Sequence, residues 1–445
     1  MTNSVKIIGT IRPFNETISV DGDKSISIRW LLLASQASGK SKAYGILKSE
    51  DVLSTIECLK KLGVKIYLKK KYCEVIGVGL NGFNTDKNLT LDAGNSGTLA
   101  RLILGLLVHS KKKIKIIGDE SLSKRDFGRV IKPLRKFGAK FKYSKKGLPL
   151  EIEGTNKPKA IDYFENKGSA QCKSSIMLAS LNTPGTTKIK ARKSRNHTEL
   201  FFKNLKIPIK IDNKKNYDFI KISNVKKINS IDYIIPSDIS SSAFFIVLTA
   251  LSKNSKLLIK NVNINPSRIG VITILKKMGV KIFLKKQRFY KNEKVANILI
   301  KSSSNLKSIN CHPSLNSSAI DEFLLIFLVA AKAKGVSTFK NLAELNQKES
   351  PRLKWGSKIL NYLGVKNELT KNSIKIYGNP KLHNKNKIII KNYLKDHRIF
   401  MSCVIASLVF GGRWQIQDPK SIMTSFPTFL KIIRKLDKNN SLKVF

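Results

Sequence analysis

One phrase returns along this chain and limits what it can fold into. It reads "CLKKLGVKIYLKK" at 58–70, "LRKFGAKFKYSKK" at 134–146, "ILKKMGVKIFLKK" at 274–286 and "ILNYLGVKNEL" at 359–369, with "FFKNLKIPIKI" at 201–211 as a weaker fifth copy. Each copy predicts an amphipathic helix ended by glycine, then a strand in which apolar and lysine residues alternate. A period of roughly 70–80 residues is too long for the common solenoid repeats and suits a duplicated α/β unit.

A second series runs in phase with the first. Six apolar segments are each opened by a polar cluster: "KSISIRWLLLASQA", "GNSGTLARLILGLL", "SAQCKSSIMLASL", "SDISSSAFFIVLTALS", "IDEFLLIFLVAAKA" and "DHRIFMSCVIASLVF". A helix apolar on most of its circumference is buried. Polar residues confined to six N-termini suggest that those ends share a common space. Helix N-termini present unpaired N–H groups and partial positive charge, each contributing about 0.3–2 kcal/mol toward a bound negative group. Ordinary N-capping is the alternative, and Ser241 and Asn95 are read as caps. Capping does not account for Lys24, Arg29, Arg101, Arg125, Arg352 and Arg398 in or near the same clusters, since these include five of only 14 arginines in the chain.

The chain has 445 residues, which calls for two or more domains, and 42% of them are hydrophobic, as in an ordinary globular protein. The net charge of +53 raises nucleic-acid binding as a reading, but the excess is nearly all lysine, spread through strand-like alternation. That pattern is a solvated surface, and no zinc-finger, RNP-type or basic-zipper motif accompanies it. Its field would still enrich anionic small molecules near a cleft. Cys58, Cys73, Cys172, Cys311 and Cys403 are odd in number, scattered and without a CxxC, which fits thiols in a reducing compartment. "MTNSVKIIGTIRP" lacks the apolar core of a secretory signal. The longest apolar run, "FLLIFLVAA", falls well short of the roughly 20 residues that span a bilayer. A cytoplasmic protein with no membrane partner is expected.

"DGDKSISIRW" (21–30) predicts a helix start near Ser25, with Ser25 and Arg29 on one face and Lys24 at its mouth. A capped helix with a solvent arginine is the competing reading. "GNSGT" (94–98) is a tight turn that lets a ligand approach its amides. "AIDEF" (319–323) contains Asp321 and Glu322, "NQKESPRLK" (346–354) groups Lys348, Glu349 and Arg352, and "KDHR" (395–398) groups Asp396, His397 and Arg398. A carboxylate beside cations can act as acid or base when burial tunes it, or be purely structural. No phosphate loop of the GxxxxGK[ST] type and no HExxH occurs, which disfavours nucleotide triphosphate hydrolysis and a metal site.

Taken together, "GDKSISIR", "LDAGNSGTLARL", "GDESLSKRDFGRV", "SAQCKSSIMLA", "RNHTE", "DISSSAFF", "NPSRIG", "IDEF", "KESPR", "DHRIFM" and "TSFPTF" resemble, in order, the 5-enolpyruvylshikimate-3-phosphate synthase family, in wording closer to its class II branch. The resemblance implies an α/β protein with the inside-out barrel fold of the enolpyruvyl transferases. Six βαβαββ repeats would form two domains of three, one from 1–20 plus 239–445 and the other from 21–238, with the active site in the cleft between them. The family transfers the enolpyruvyl group of phosphoenolpyruvate to the 5-hydroxyl of shikimate 3-phosphate, a step toward chorismate and the aromatic amino acids, with no metal or organic cofactor. By resemblance, Lys24, Ser25, Arg29, Ser169, Ala170, Gln171, Asp321 and Lys348 would hold shikimate 3-phosphate. Lys24, Gly97, Arg125, Gln171, Arg352 and Arg398 would hold phosphoenolpyruvate. Asp321 would be the base at the sugar hydroxyl, Glu349 with Lys348 the acid, and Lys24 a bridge between substrates, while His397 would orient Arg398 or bind phosphate. A monomer without nucleic-acid partners is expected. Three positions depart from the family's wording: Pro351 in "KESPR", Ser237 in "PSD", and Ser425 before "FP". The alternatives are the sister transferase acting on UDP-N-acetylglucosamine, whose reactive cysteine "GDESLSKRDFGR" lacks, and a basic nucleic-acid binder or inactive homologue on the same scaffold.

Overall fold

The computed structural model describes residues 4–144, 147–437 and 442–444. The last two lysines of the 134–146 phrase and the first three residues of the N-terminal stretch lie outside the described residues. The chain divides into two compact units: a first of Met1–Asp21, Pro236–Phe289 and Lys294–Phe445, and a second of Gly22–Ile235 with Tyr290–Glu293.

Each unit carries three four-stranded sheets built to one plan. In the second unit, strand Leu89–Asp92 leads through the helix Gly97–Leu106 to strand Ile114–Ile117, then through the helix Gly128–Lys136 to strands Lys140–Tyr143 and Leu150–Glu153. The first two strands pair in parallel, the second is antiparallel to the last, and the last is antiparallel to its chain predecessor. The other five sheets repeat the parallel and then antiparallel pairing around their second strand. Some strands come from far along the chain. Tyr233–Ile234 runs beside Ser38–Tyr44, and Ser4–Ile8 lies between Arg413–Gln417 and Leu442–Val444.

The six apolar segments form the helices Lys24–Ser35, Gly97–Leu106, Ala170–Ser180, Ile239–Leu251, Phe323–Lys332 and His397–Phe410, three in each unit. They are buried over nearly their whole length because almost no position carries a side chain that needs water. The sheets lie outside them and keep one wet face. Along Thr186–Arg192, residues Thr187, Ile189 and Ala191 are buried while Lys188, Lys190 and Arg192 are exposed, as the lysine alternation predicts.

The repeated phrase folds as expected. Helices ending near Lys61, Lys136, Lys277 and Tyr362 are followed by Gly63, Gly138, Gly279 and Gly364, all at positive φ, where a side chain would be strained. In the weaker fifth copy Lys206 takes the left-handed conformation (φ 56°) instead. A sixth copy, too divergent to match the phrase, is the helix Phe429–Leu436 followed by strand Leu442–Val444, with no glycine between them.

Two cap assignments are corrected. Asp238, not Ser241, caps the helix Ile239–Leu251, accepting from the Ser240 amide at 2.7 Å, because it stands just before the first helical residue, where a carboxylate reaches the free amides of the first turn. Ser96, not Asn95, caps Gly97–Leu106, accepting from the Leu99 amide at 3.2 Å. All five cysteines are free and buried. Among the described residues no helix is long and apolar enough to cross a membrane, and no cluster of His, Cys, Asp and Glu could hold a metal ion.

Candidate active site

In the second unit the predicted residues gather at the starts of three buried helices. Asp23 caps the first of these, accepting from the Ile26 amide at 2.9 Å, so the helix begins at Lys24, next to the expected start near Ser25. Lys24 Nζ lies 2.7 Å from Asp51 Oδ2. One turn on, Arg29 is only 4% exposed and donates from Nη1 to the Ser25 carbonyl at 3.1 Å, the predicted i,i+4 relation. Its Nε donates to Thr198 Oγ1 at 2.9 Å and its Nη2 to Ser174 Oγ at 3.1 Å.

Gln171, on the first turn of Ala170–Ser180, is held at both ends of its amide. Its Nε2 donates to Thr98 Oγ1 at 3.1 Å, and its Oε1 accepts from Arg101 Nη1 at 2.8 Å. Arg101 also donates to the Asp126 carbonyl at 3.1 Å and lies over the Phe127 ring. Ser169 caps the helix, accepting from the Cys172 amide at 3.3 Å, which leaves Ala170 as the first helical residue. Asn95, freed from capping, accepts from Arg125 Nη2 at 2.9 Å and donates to Asp119 at 2.6 Å. Gly97 stands between two of these cations. A methyl group there would lie 2.9 Å from Arg101 Nη1 and 3.1 Å from Arg125 Nη1.

The first unit gathers the remaining predicted residues around Arg352, which is 2% exposed. Its Nε donates to Asp396 Oδ2 at 2.8 Å and its Nη2 to Asp396 Oδ1 at 3.2 Å, a two-point fork, while Nη2 also pairs with Glu349. Asp321 Oδ1 lies 3.5 Å from Arg352 Nη1 and 3.4 Å from Lys348 Nζ. Arg398 donates from Nη1 to the Asp321 carbonyl at 2.8 Å. Asp396 also caps the helix His397–Phe410, accepting from the Arg398 amide at 2.9 Å. Burial alone would push the Asp396 carboxyl up, but Arg352 beside it and His397 next to it prevail and hold it below the ordinary aspartate value. Burial disfavours the Arg352 cation, yet Asp396, Glu349 and Asp321 together raise its pKa. His397 Nδ1 lies 3.2 Å from Thr424 Oγ1.

Sequence reasoning missed several supporting residues. Asp51, Ser174 and Thr198 hold the second unit's cations. In the first unit Arg268 donates to Ser240 Oγ at 2.9 Å and pairs with Asp238 at 3.3 Å, and Ser240 donates to Glu322. Arg268 lies in the quoted "NPSRIG", the one signal that pointed to it. Two departures from the family's wording are structurally mild. Pro351 (φ −72°) sits just before the helix starting at Arg352, where a missing amide costs nothing. Ser237 does not need a glycine's backbone, and its hydroxyl donates to the Val20 carbonyl at 3.1 Å.

Comparison with known proteins agrees along nearly the whole chain. The family described as EPSP synthase (3-phosphoshikimate 1-carboxyvinyltransferase) matches residues 8–433. The 3-phosphoshikimate 1-carboxyvinyltransferase of Ruthia magnifica subsp. Calyptogena magnifica is 41% identical over 437 residues, covering 97% of this chain and 98% of the relative. The solved EPSP synthase of Acinetobacter baumannii superposes with a TM-score of 0.87 at 34% identity, over 100% of both chains. The enolpyruvyl transferase NikO of Streptomyces tendae, at 12% identity and a TM-score of 0.77 over 100% of this chain and 99% of its own, shares the fold alone. With six βαβαββ copies in two units of three, this chain belongs to the EPSP synthase family.

Proposed function

We propose that the two clusters are halves of one active site, formed in the cleft between domains 1–20 plus 239–445 and 21–238. The chain transfers the enolpyruvyl group of phosphoenolpyruvate to the 5-hydroxyl of shikimate 3-phosphate, giving 5-enolpyruvylshikimate 3-phosphate and inorganic phosphate. The observation that carries the assignment of roles is Gln171, locked between Thr98 and Arg101 where the helices starting at Ala170 and Gly97 meet.

Lys24, Ser25, Arg29, Ser169, Ala170 and Gln171 hold shikimate 3-phosphate in this reading, with Asp321 and Lys348 on the other side. Lys24, Gly97, Arg125, Gln171, Arg352 and Arg398 hold phosphoenolpyruvate. Arginine suits both substrates because its planar fork meets phosphate or carboxylate at two points.

The reaction forms a bond between the sugar oxygen and C2 of phosphoenolpyruvate. As it forms, the hydroxyl loses its proton and the methylene carbon gains one. Expulsion of phosphate then breaks the C2–O bond, and the new methyl group gives up a proton to restore the double bond. Asp321 takes the hydroxyl proton, and Glu349, beside Lys348, serves the carbon. Each positioned acid or base supplies about 10²–10⁴-fold in rate. The arginines align the anions and neutralise the departing phosphate. We read the protein as a cytoplasmic monomer.

The test is phosphate release from phosphoenolpyruvate with shikimate 3-phosphate, in chelator and without added metal. Turnover is expected. Turnover only with UDP-N-acetylglucosamine, or only after metal is restored, would overturn the reading.

A further inference from the structure

The seat of Arg29 stands between buried charges. His197, Thr198 and Glu199 open the helix His197–Asn204. The middle residue, Thr198, accepts from Arg29, and its hydroxyl lies 2.7 Å from that of Ser174, the second hydroxyl under the same guanidinium. The residues on either side of Thr198 are each tied down. His197 Nδ1 lies 2.6 Å from Glu293 Oε1, and Glu199 Oε1 lies 2.5 Å from Lys173 Nζ. None of these four side chains is more than 3% exposed. Lys173 directly precedes Ser174. The two hydroxyls that seat Arg29 therefore belong to two dipeptides, Lys173–Ser174 and Thr198–Glu199, joined both by hydroxyls and by a buried ion pair.

Burying the Lys173–Glu199 pair is a poor route to stability, because desolvating two charges offsets most of their attraction, and apolar side chains of the same volume would hold the elements together as well. Orientation is the better account. The first turn of a helix has unpaired amides and frays unless something fixes it, and the side chain of Asn196 does not cap this one. Here Glu293 and Lys173 fix the turn from either side of Thr198. Where that turn sits determines where Thr198 Oγ1 sits, and with it the plane of the Arg29 fork.

We propose that Lys173, Glu199, His197 and Glu293 are positioning residues that aim Arg29, and that they thereby set the affinity for the anionic acceptor substrate rather than the rate of the chemical step. The affinity half rests on Arg29 holding shikimate 3-phosphate; the positioning half does not.

Two variants test this. Lys173→Met combined with Glu199→Gln replaces the ion pair without stranding a charge, and Glu293→Gln keeps an acceptor for His197 while deleting the negative charge. In arginine-labelled protein, the Arg29 Nε–H signal is identified by its loss in Arg29→Lys. Its exchange with solvent is expected to speed up in both variants while the melting temperature shows them folded. Shikimate 3-phosphate affinity, measured by calorimetry without the second substrate, is expected to fall about tenfold or more, the scale of one charge-assisted hydrogen bond. The KM for phosphoenolpyruvate at saturating shikimate 3-phosphate is expected to stay within about twofold, a split that loss of structure alone would not produce. Unchanged Nε–H exchange in folded variants overturns the proposal, as do equal losses for both substrates. If the double variant fails to fold, Glu293→Gln carries the same test. If Arg29→Lys leaves shikimate 3-phosphate affinity intact, the ligand assignment of Arg29 falls and the affinity half with it, while exchange still decides the positioning.

Discussion

Arg29 and Arg352 are both buried guanidinium groups, one in each unit, and they are held by different chemistry. Arg29 is aimed by two hydroxyls and a carbonyl. Arg101 and Arg125 in the same unit donate to two carboxamides, a carbonyl and a hydroxyl. Arg352 is surrounded by the carboxylates of Asp396, Glu349 and Asp321. A neutral acceptor orients a cation without itself neutralising it. Carboxylates neutralise it and become reactive groups themselves. On the proposed roles, the second unit's cations are set for binding anions, while the first unit adds to its binding cations the carboxylates that would move protons. Lys24, paired with Asp51, departs from its unit's pattern, so an anion reaching it must compete with that carboxylate.

The largest effects should come from the first unit's carboxylates. Asp321→Asn and Glu349→Gln are expected to lower kcat about 10²–10⁴-fold, with smaller changes in KM. A loss confined to KM would place them with the binding groups and break the contrast. Arg352→Ala leaves three carboxylates facing one another and is expected to cost about 3–5 kcal/mol in denaturant unfolding. Arg29→Ala strands hydroxyls that can pair with each other, at about 1.5–3 kcal/mol. Equal costs would mean that the partners' charge does not matter. Gly97→Ala moves a methyl group against the Arg101 and Arg125 head groups, so the KM for phosphoenolpyruvate should rise about tenfold, as for one lost charged hydrogen bond, with the melting temperature little changed.

A pH test sharpens the comparison further. Because the folded Asp396 carboxyl lies below its unfolded value, its contribution to stability is complete above about pH 4 and is lost as pH falls through the depressed folded value. Unfolding free energy measured downward from about pH 6 should show this acid limb, and Asp396→Asn should flatten it. The smallest effect is expected from thiol reagents. Cys172 follows Gln171, but burial pushes its thiol up to about 12, so iodoacetamide near neutral pH should leave activity unchanged. Inactivation protected by substrate would show the start of that helix to be far more open than described.

Much of this architecture could be read before any coordinates. The six buried helices were visible because an all-round apolar segment has one stable environment, and four helix ends were visible because only glycine adopts their backbone without strain. The fifth end, at Lys206, and the sixth, after Leu436, gave weak or no local signal because neither relies on glycine. The site's cations were legible as rare arginines at helix starts. Their supports were not. Glu293 lies 96 residues from His197, and Thr198 lies 169 from Arg29, so no periodicity or spacing joins them. The cap errors arose locally: where serine stands near one helix start with an aspartate or an asparagine, composition does not say which side chain reaches the amides.

The sheet that holds Ser4–Ile8 imposes an order of events during synthesis. This strand is translated some 400 residues before its partner Arg413–Gln417. At about 5–20 residues per second, the strand waits on the order of 20–80 s without its neighbours. Nearly all of the second unit, by contrast, is one continuous stretch that can begin to fold while its host is still unfinished. The early strand, "SVKII", is only five residues long and sets Lys6 between Val5 and Ile7, too short to pair well with itself, which suits a segment that must stay single until its partners arrive.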